Sequence, residues 1–187
     1  MRVVAGEFKG RKLKGFKGSE IRPLTDRIKT SIFDYLQSSI GESRVLDIFS
    51  GTGSFGIEAL SRGAGEVTFV EKQRSSLEVL KKNLEMLSVD PKKYRIVHFD
   101  ALEYIRLLKK SPGTYDIIFL DPPFKYSFFD DLLNEIAFNS PPRKNGLLVL
   151  RHPVNLNFEE AGYLKLVRDK KFGESIVKFF INYGENK

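Results

Sequence analysis

The chain has 187 residues, 41% of them hydrophobic and 12% aromatic, with no cysteine, two histidines and a formal charge of +7. That length and composition suit one globular domain with a sizeable core and a small appendage, and they exclude a disordered chain. The absence of cysteine excludes disulfides and a thiol nucleophile, and with only His98 and His152 no metal site is expected.

No apolar run approaches the roughly 20 residues of a membrane span, and the opening "MRVVAGEFKGRKLKGF" has no apolar core of a secretory signal. A cytoplasmic protein without membrane contact is the expectation. The charge is unevenly placed. Residues 1–30 hold nine Lys/Arg against three acids, a net of +6, whereas the other 157 residues hold 22 against 21. A basic arm of this kind meets phosphate or merely keeps a terminus soluble.

In chain order, residues 1–17 alternate around Gly10 and read as a hairpin. "LTDRIKTSIFDYLQSSI" spaces Ile28, Ile32, Phe33, Leu36 and Ile40 as one face of a helix, capped by Thr25 or Asp26. From Arg44 strands and helices alternate: "RVLDIF", then the helix "SFGIEALSR"; "EVTFVE", then a helix over 73–88; "YRIVHF", then a helix over 101–108. "YDIIFL" precedes a helix near 128–138, and "GLLVLR" is the fifth strand. "YLKLVRD" and "ESIVKFFINY" close the chain as an antiparallel hairpin around 170–173. Alternation of this kind implies right-handed crossovers and a mostly parallel α/β sheet covered on both faces. The expected division is a basic extension over 1–40 and a sheet domain over 41–187.

The first strand runs into "VLDIFSGTGSFGIEA", where Gly51, Gly53 and Gly56 fit G-x-G-x-x-G at a strand-to-helix turn. Such a turn admits a nucleoside cofactor, or serves close helix–sheet packing alone. Glu71 ends the second strand 18 residues after Gly53, where a carboxylate accepts from ribose hydroxyls. Asp47 is poorly placed for a pyrophosphate. It either faces a cationic ligand, for which S-adenosylmethionine is suited, or braces the loop by accepting backbone N–H bonds. Asp100, before Ala101, either binds an adenine amine or caps the next helix.

"DPPF" follows the fourth strand on the same carboxyl edge, where ligands of open α/β sheets bind. Pro122 and Pro123 make a stiff segment that offers carbonyls and no N–H donors. The Asp121 carboxylate and the Pro122 carbonyl can each accept one hydrogen of a planar amine. Those bonds turn the nitrogen lone pair toward a methyl donor. Phe124 can stack on a base taken out of its own stack. The bland reading is a rigid loop with Phe124 packed in the core. These residues alone do not separate guanine N2 from adenine N6 or cytosine N4. A DNA adenine methylase carries a larger target-recognition region, and only 21 residues separate Phe124 from Gly146. An NAD-dependent oxidoreductase and an RNA-binding protein with a vestigial cofactor site are the readings from other classes.

The stretches "RVVAGEFKGRKL", "RPLTDRIKTSIFDYL", "LDIFSGTGSFGIEALSRGA", "FVEK", "FLDPPF" and "KKFGESIVKFFINY" together resemble the bacterial 16S rRNA guanine-N2 methyltransferases of the RsmD type over nearly the whole chain. The resemblance implies a Rossmann-like class I methyltransferase fold and S-adenosylmethionine as cofactor, with 16S rRNA or an assembling small ribosomal subunit as partner. A monomer is the expectation. The implied cofactor residues are Asp47, Phe49, Gly51, Gly53, Gly56, Glu71, Lys72, Asp100 and Ala101, and the implied catalytic ones Asp121, Pro122, Pro123 and Phe124. RNA contacts are expected from Arg2, Lys9, Arg11, Lys12, Lys14, Arg22, Thr25 and Arg27; Pro23 and Asp26 belong to the same matching segment. Leu24, Thr30 and Ser50 depart from frequent family residues.

Overall fold

The computed structural model describes residues 1–15, 24–109, 114–123, 126–139, 142–156, 158 and 160–184. Its strands are β1 (Arg44–Ile48), β2 (Glu66–Glu71), β3 (Tyr94–His98), β4 (Ile117–Leu120), β5 (Leu147–Pro153), β6 (Leu164–Phe172) and β7 (Ser175–Asn182). They form one sheet in the order β3-β2-β1-β4-β5-β7-β6. β1 to β5 pair in parallel, and β7 lies antiparallel between β5 and β6. Runs such as Ile117–Leu120, apolar at every position, are buried on both faces, as a parallel sheet requires. Helices α1 (Asp26–Leu36), α2 (Ser54–Ser61) and α3 (Arg74–Met86) cover one face, and α4 (Ala101–Leu108) and α5 (Phe129–Phe138) the other. This is the mostly parallel sheet, covered on both faces, that the alternation implied.

Some details settle what the sequence left open, and others differ from it. Thr25, not Asp26, caps α1, its hydroxyl accepting from the Ile28 N–H, and the helix stops at Leu36 although Ile40 is still buried. A single 3-10 turn, Pro91–Lys93, precedes β3. The arm reverses on itself, with the Val3 N–H reaching the Arg11 carbonyl and the Leu13 N–H the Met1 carbonyl, each at 3.0 Å. The expected hairpin is nevertheless reduced to one bridge, Arg2 to Lys12.

The reason is that α2 takes the arm's donors. The fully buried Glu58 carboxylate accepts from Val4 N–H at 2.8 Å and Ala5 N–H at 2.9 Å. Ser61 accepts from Glu7 N–H and Phe8 N–H. Glu58 also pairs with Arg62 at 2.9 Å and with the buried Lys29 ammonium at 3.4 Å. Lys29 donates in turn to the Arg2 carbonyl. Burial lowers the pKa of Lys29, against the opposing field of Glu58.

Gly6 adopts φ +80°, and a Cβ there would lie 1.7 Å from the Ser61 carbonyl oxygen. Gly6→Ala is therefore expected to destabilise the protein by about 1–3 kcal/mol, read as a lower denaturant midpoint. An unchanged midpoint would mean that the arm is not seated on α2.

Phe33, Phe55 and Phe119 stack as a column, with centroids 4.9 and 3.8 Å apart. The column ties α1 and α2 to β4, two residues before Asp121.

Candidate active site

Alternation along the strands assembles the site. Val45 and Asp47, Phe69 and Glu71, Phe119 and Asp121, and Val149 and Arg151 follow the period of two that puts Val45, Phe69, Phe119 and Val149 under α1 to α3. Asp47 pairs in register with Phe69 and Phe119. Glu71 and Asp121 therefore stand one pleat repeat farther along, at the carboxyl edge, with Asp47 roughly 7 Å beneath them. Three carboxylates and one guanidinium thus share one sheet face.

Above them the chain turns through left-handed backbone at Phe49 (φ +60°), Gly51 (φ +55°) and Gly53 (φ +85°). A phenylalanine in that region is uncommon and strained, and such strain concentrates at ligand sites. The loop is held from below by carboxylates. Asp47 accepts from the Gly56 N–H at 2.9 Å, and Glu71 accepts from Gly51 N–H at 2.8 Å and Gln73 N–H at 2.7 Å. Of the two readings of Asp47, the bracing one is formed. Burial pushes the Asp47 carboxyl well above its ordinary value; the Gly56 N–H opposes this, and the fields of Asp121 and Glu71 add to it. Gly56 has a packing reason of its own, since a Cβ would lie 2.2 Å from the Phe69 ring.

Asp100 caps α4, accepting from Leu102 N–H at 3.0 Å and Glu103 N–H at 3.3 Å, while Lys72 reaches its other oxygen at 3.2 Å. Burial would raise its carboxyl, but the Glu103 N–H and the Lys72 ammonium outweigh that and lower it. Ala101, the first residue of α4, is buried behind the cap.

Asp121 is bound by Arg151, whose Nη1 donates to Oδ2 at 2.9 Å. The Arg151 side chain is only 2% exposed and that of Asp121 19%. Burial raises the Asp121 carboxyl, and the Arg151 charge and hydrogen bond pull it back. Among the described residues no group donates to the Pro122 carbonyl, whereas the Pro123 carbonyl accepts from Tyr126 N–H at 2.9 Å. Phe124 lies outside the described residues, as do Arg22 and Pro23. Sequence reasoning missed Arg151, which passed as the last letter of a strand. Its signal was parity: position 151 shares the face of Leu147 and Val149, beside the strand that carries Asp121.

Among the described residues four buried polar atoms lack a hydrogen-bond partner, including His152 Nε2 on β5; sequence reasoning also missed the three near the loop, Ser50 Oγ, Ser54 Oγ and Tyr126 OH. The serines flank the glycine loop. The Tyr126 ring packs edge-on against Phe49 at 5.0 Å, and burial raises its hydroxyl pKa to about 12. Buried polar atoms are nearly always satisfied. A cluster of three around one loop fits a polar ligand.

The cations expected to meet RNA divide into two groups. Arg2 is held by Asp26 at 2.9 Å, and Arg11 donates to the Met86 carbonyl at 2.8 Å. Lys9, Lys12, Lys14 and Arg27 are exposed. Arg2 and Lys12 line a groove of about 390 Å³ with Met1, Leu24, Thr25 and Asp26. The buried Asn83 amide accepts from Lys14 N–H at 2.8 Å and donates to the carbonyls of Lys14 and Thr52, the latter in the glycine loop.

A family model described as conserved hypothetical protein 95 matches residues 1–181. The chain is 34% identical over 148 residues to the Haemophilus influenzae protein named ribosomal RNA small subunit methyltransferase D, covering 79% of this chain and 76% of that one. The solved structure of a Thermus thermophilus hypothetical protein superposes with a TM-score of 0.78 at 26% identity, over 96% of this chain and 98% of the other. The structure of a SAM-dependent methyltransferase from Agrobacterium tumefaciens shares the fold, with a TM-score of 0.62 at 19% identity, over 83% and 62%.

Proposed function

The chain belongs to the family described as conserved hypothetical protein 95, and we propose that it methylates the exocyclic N2 amine of a guanine in 16S rRNA, using S-adenosylmethionine. The observation that carries the reading is the corner made by Asp121 and Pro122. A half-buried carboxylate fixed by Arg151 stands beside a carbonyl to which no described residue donates, on the sheet edge that carries the strained glycine loop. The name of the Haemophilus influenzae relative supports RNA of the small subunit as substrate. The choice of guanine N2 rests on the likeness of "RPLTDRIK" and "FLDPPF" to the RsmD type.

The site fits the cofactor. The left-handed turn from Phe49 to Gly53 brings backbone close, the orphaned serine hydroxyls flank it, and Glu71 and Asp100 offer carboxylates on either side. When bound there, S-adenosylmethionine supplies an electrophilic methyl on a sulfonium. The protein's own part is positioning and electrostatics. Asp121 and the Pro122 carbonyl each accept one amine hydrogen, which draws the lone pair out of conjugation and aims it along the line of attack. The Asp121 charge stabilises the cation that develops on nitrogen. No strong base is needed, because the amine becomes acidic once alkylated and sheds its proton afterwards. Phe124 is the stacking partner of the base in this scheme.

Methyl transfer from tritiated cofactor tests the reading on naked 16S rRNA, assembled small subunits and DNA, with the product mapped by mass spectrometry. N2-methylguanosine in 16S rRNA or the subunit is expected. N6-methyladenosine in DNA would replace this function with another.

Cofactor affinity is tested separately with S-adenosylhomocysteine. In Gly53→Val the side chain meets Leu80, whose Cδ1 lies 2.3 Å from the Cβ position. Asp47→Ala and Glu71→Ala release the loop's N–H groups. Each variant is expected to weaken binding at least about tenfold, or about 1.4 kcal/mol, by calorimetry. Unchanged affinity in all three would move the cofactor away from this loop.

A further inference from the structure

The edge strand β6 carries Lys165, Arg168, Lys170 and Lys171 against one acid, Asp169, all exposed. A bulge between Leu166 and Arg168 inserts one residue and inverts the alternation after it. Without it, Arg168 and Lys170 would share the face of Leu166, which packs with the α4 and α5 cluster. With it they turn to the opposite face, and Asp169 turns away. The contacts record this. The Arg168 guanidinium lies 5.3 Å from the Tyr35 ring centroid, and Lys170 Nζ donates to Ser31 Oγ at 3.0 Å; both partners are on α1. Lys165 Nζ lies 5.4 Å from the Tyr183 ring centroid.

Elsewhere arginines meet carboxylates: Arg2 meets Asp26, Arg44 and Arg95 meet Glu66, Arg62 meets Glu58, Arg106 meets Glu103, and Arg143 meets Asp116. Among the described residues no carboxylate forms an ion pair with Lys165, Arg168 or Lys170. Rings and a hydroxyl hold them, which fixes their direction without neutralising them. Val177 pairs with Lys170 on one side and with Arg151 on the other. Lys170 therefore stands level with Arg151, two strand spacings or roughly 10 Å away, on the sheet face that carries Asp121.

We infer that Lys165, Arg168 and Lys170 form a phosphate track that holds the substrate RNA backbone on the β6 side of the site, separate from the N-terminal arm. The inference rests on the reading that the substrate is RNA. The unpaired positive charge, its alignment over roughly 15 Å of strand and its arrival at the catalytic edge all match a polyanion leading into the pocket. A phosphate track of this kind positions the strand and reads no sequence.

The test is filter binding of 16S rRNA across a range of salt concentrations, with the variant Lys165→Gln/Arg168→Gln/Lys170→Gln. Its slope of log affinity against log salt is expected to flatten by roughly two units, with S-adenosylhomocysteine affinity unchanged. A Lys165→Arg/Lys170→Arg variant keeps the charges and is expected to keep the wild-type slope. A Lys9→Gln/Lys12→Gln/Lys14→Gln arm variant is compared in parallel. If the arm variant flattens the slope and the β6 variant does not, the track is overturned and the RNA reading stands; the β6 cations then serve only to keep an edge strand from pairing with other chains. If the arginine variant loses as much affinity as the glutamine variant, packing and not charge is responsible, and the track is likewise overturned. Salt-insensitive RNA binding by the wild-type protein would overturn both.

Discussion

Asp121→Asn is expected to lower the rate of methyl transfer by about 10²–10³, the cost of losing one preorganised electrostatic partner, while S-adenosylhomocysteine still binds as in the wild type. Asparagine keeps the shape of aspartate and one oxygen for Arg151. It loses the charge, and its NH2 faces the substrate amine donor to donor. Alanine is a poorer probe. It would leave the Arg151 guanidinium, 2% exposed, without its carboxylate, and stranding one member of a buried pair costs about 3–5 kcal/mol. Single-turnover transfer at saturating cofactor reads the chemical step in the Asn variant. A wild-type rate there would remove Asp121 from the reaction.

Arg151→Met gives the second large effect, and its signature is a pH profile. Burial already raises the Asp121 carboxyl, and Arg151 is what pulls it back. Methionine fills a similar volume without charge, so the Asp121 pKa rises further. The ionised form is the active one. Activity near neutral pH therefore falls, returns as pH increases, and the acid limb of the rate profile moves to higher pH. Stability follows the same linkage. A carboxyl whose folded pKa lies above its unfolded value favours the folded state when protonated, and that advantage disappears as pH rises through the folded pKa. The variant is expected to melt progressively below the wild type between acid and alkaline pH, approaching the 3–5 kcal/mol penalty only where Asp121 is ionised. Arg151→Lys keeps the charge and should shift the limb less. A rate lowered equally at every pH would reduce Arg151 to packing.

Much of the site was legible because alternation is strict in a buried parallel sheet. Asp47, Glu71 and Asp121 sit in or just after apolar strands of known parity, so their common face could be read from spacing. The N-cap reading of Asp100 needed only a short polar residue before an apolar helix. What spacing could not supply was occupancy. Asp47 was open between a cation and a brace, and only the Gly56 N–H at 2.9 Å shows that the brace is made. Arg151 was invisible because an arginine at a strand end is ordinary until its neighbour is known, and that neighbour is 30 residues away. Charge counting had a related blind spot. It assigned the excess to the arm, where Arg2 is paired with Asp26, and averaged away the β6 cations against acids that serve other arginines. The bulge that aims those cations has no glycine or proline to announce it. The arm's reduced hairpin had the same origin: Glu58 read as one more helix residue, and only the fold shows that it takes two of the arm's N–H groups.

That carboxylate limits how freely such a protein can change its target. An extension is easiest to exchange when it is joined to a domain that is complete without it. Here the extension finishes the solvation of a charge inside the domain: Val4, Ala5, Lys29 and Arg62 together surround Glu58. Asn83 then threads the backbone of Lys14 to that of Thr52 in the cofactor turn. An unrelated arm would inherit an unmatched ion and an open amide. The arm's seating and the domain's folding are thus written into the same residues, and a lineage that altered the one would have to renegotiate the other.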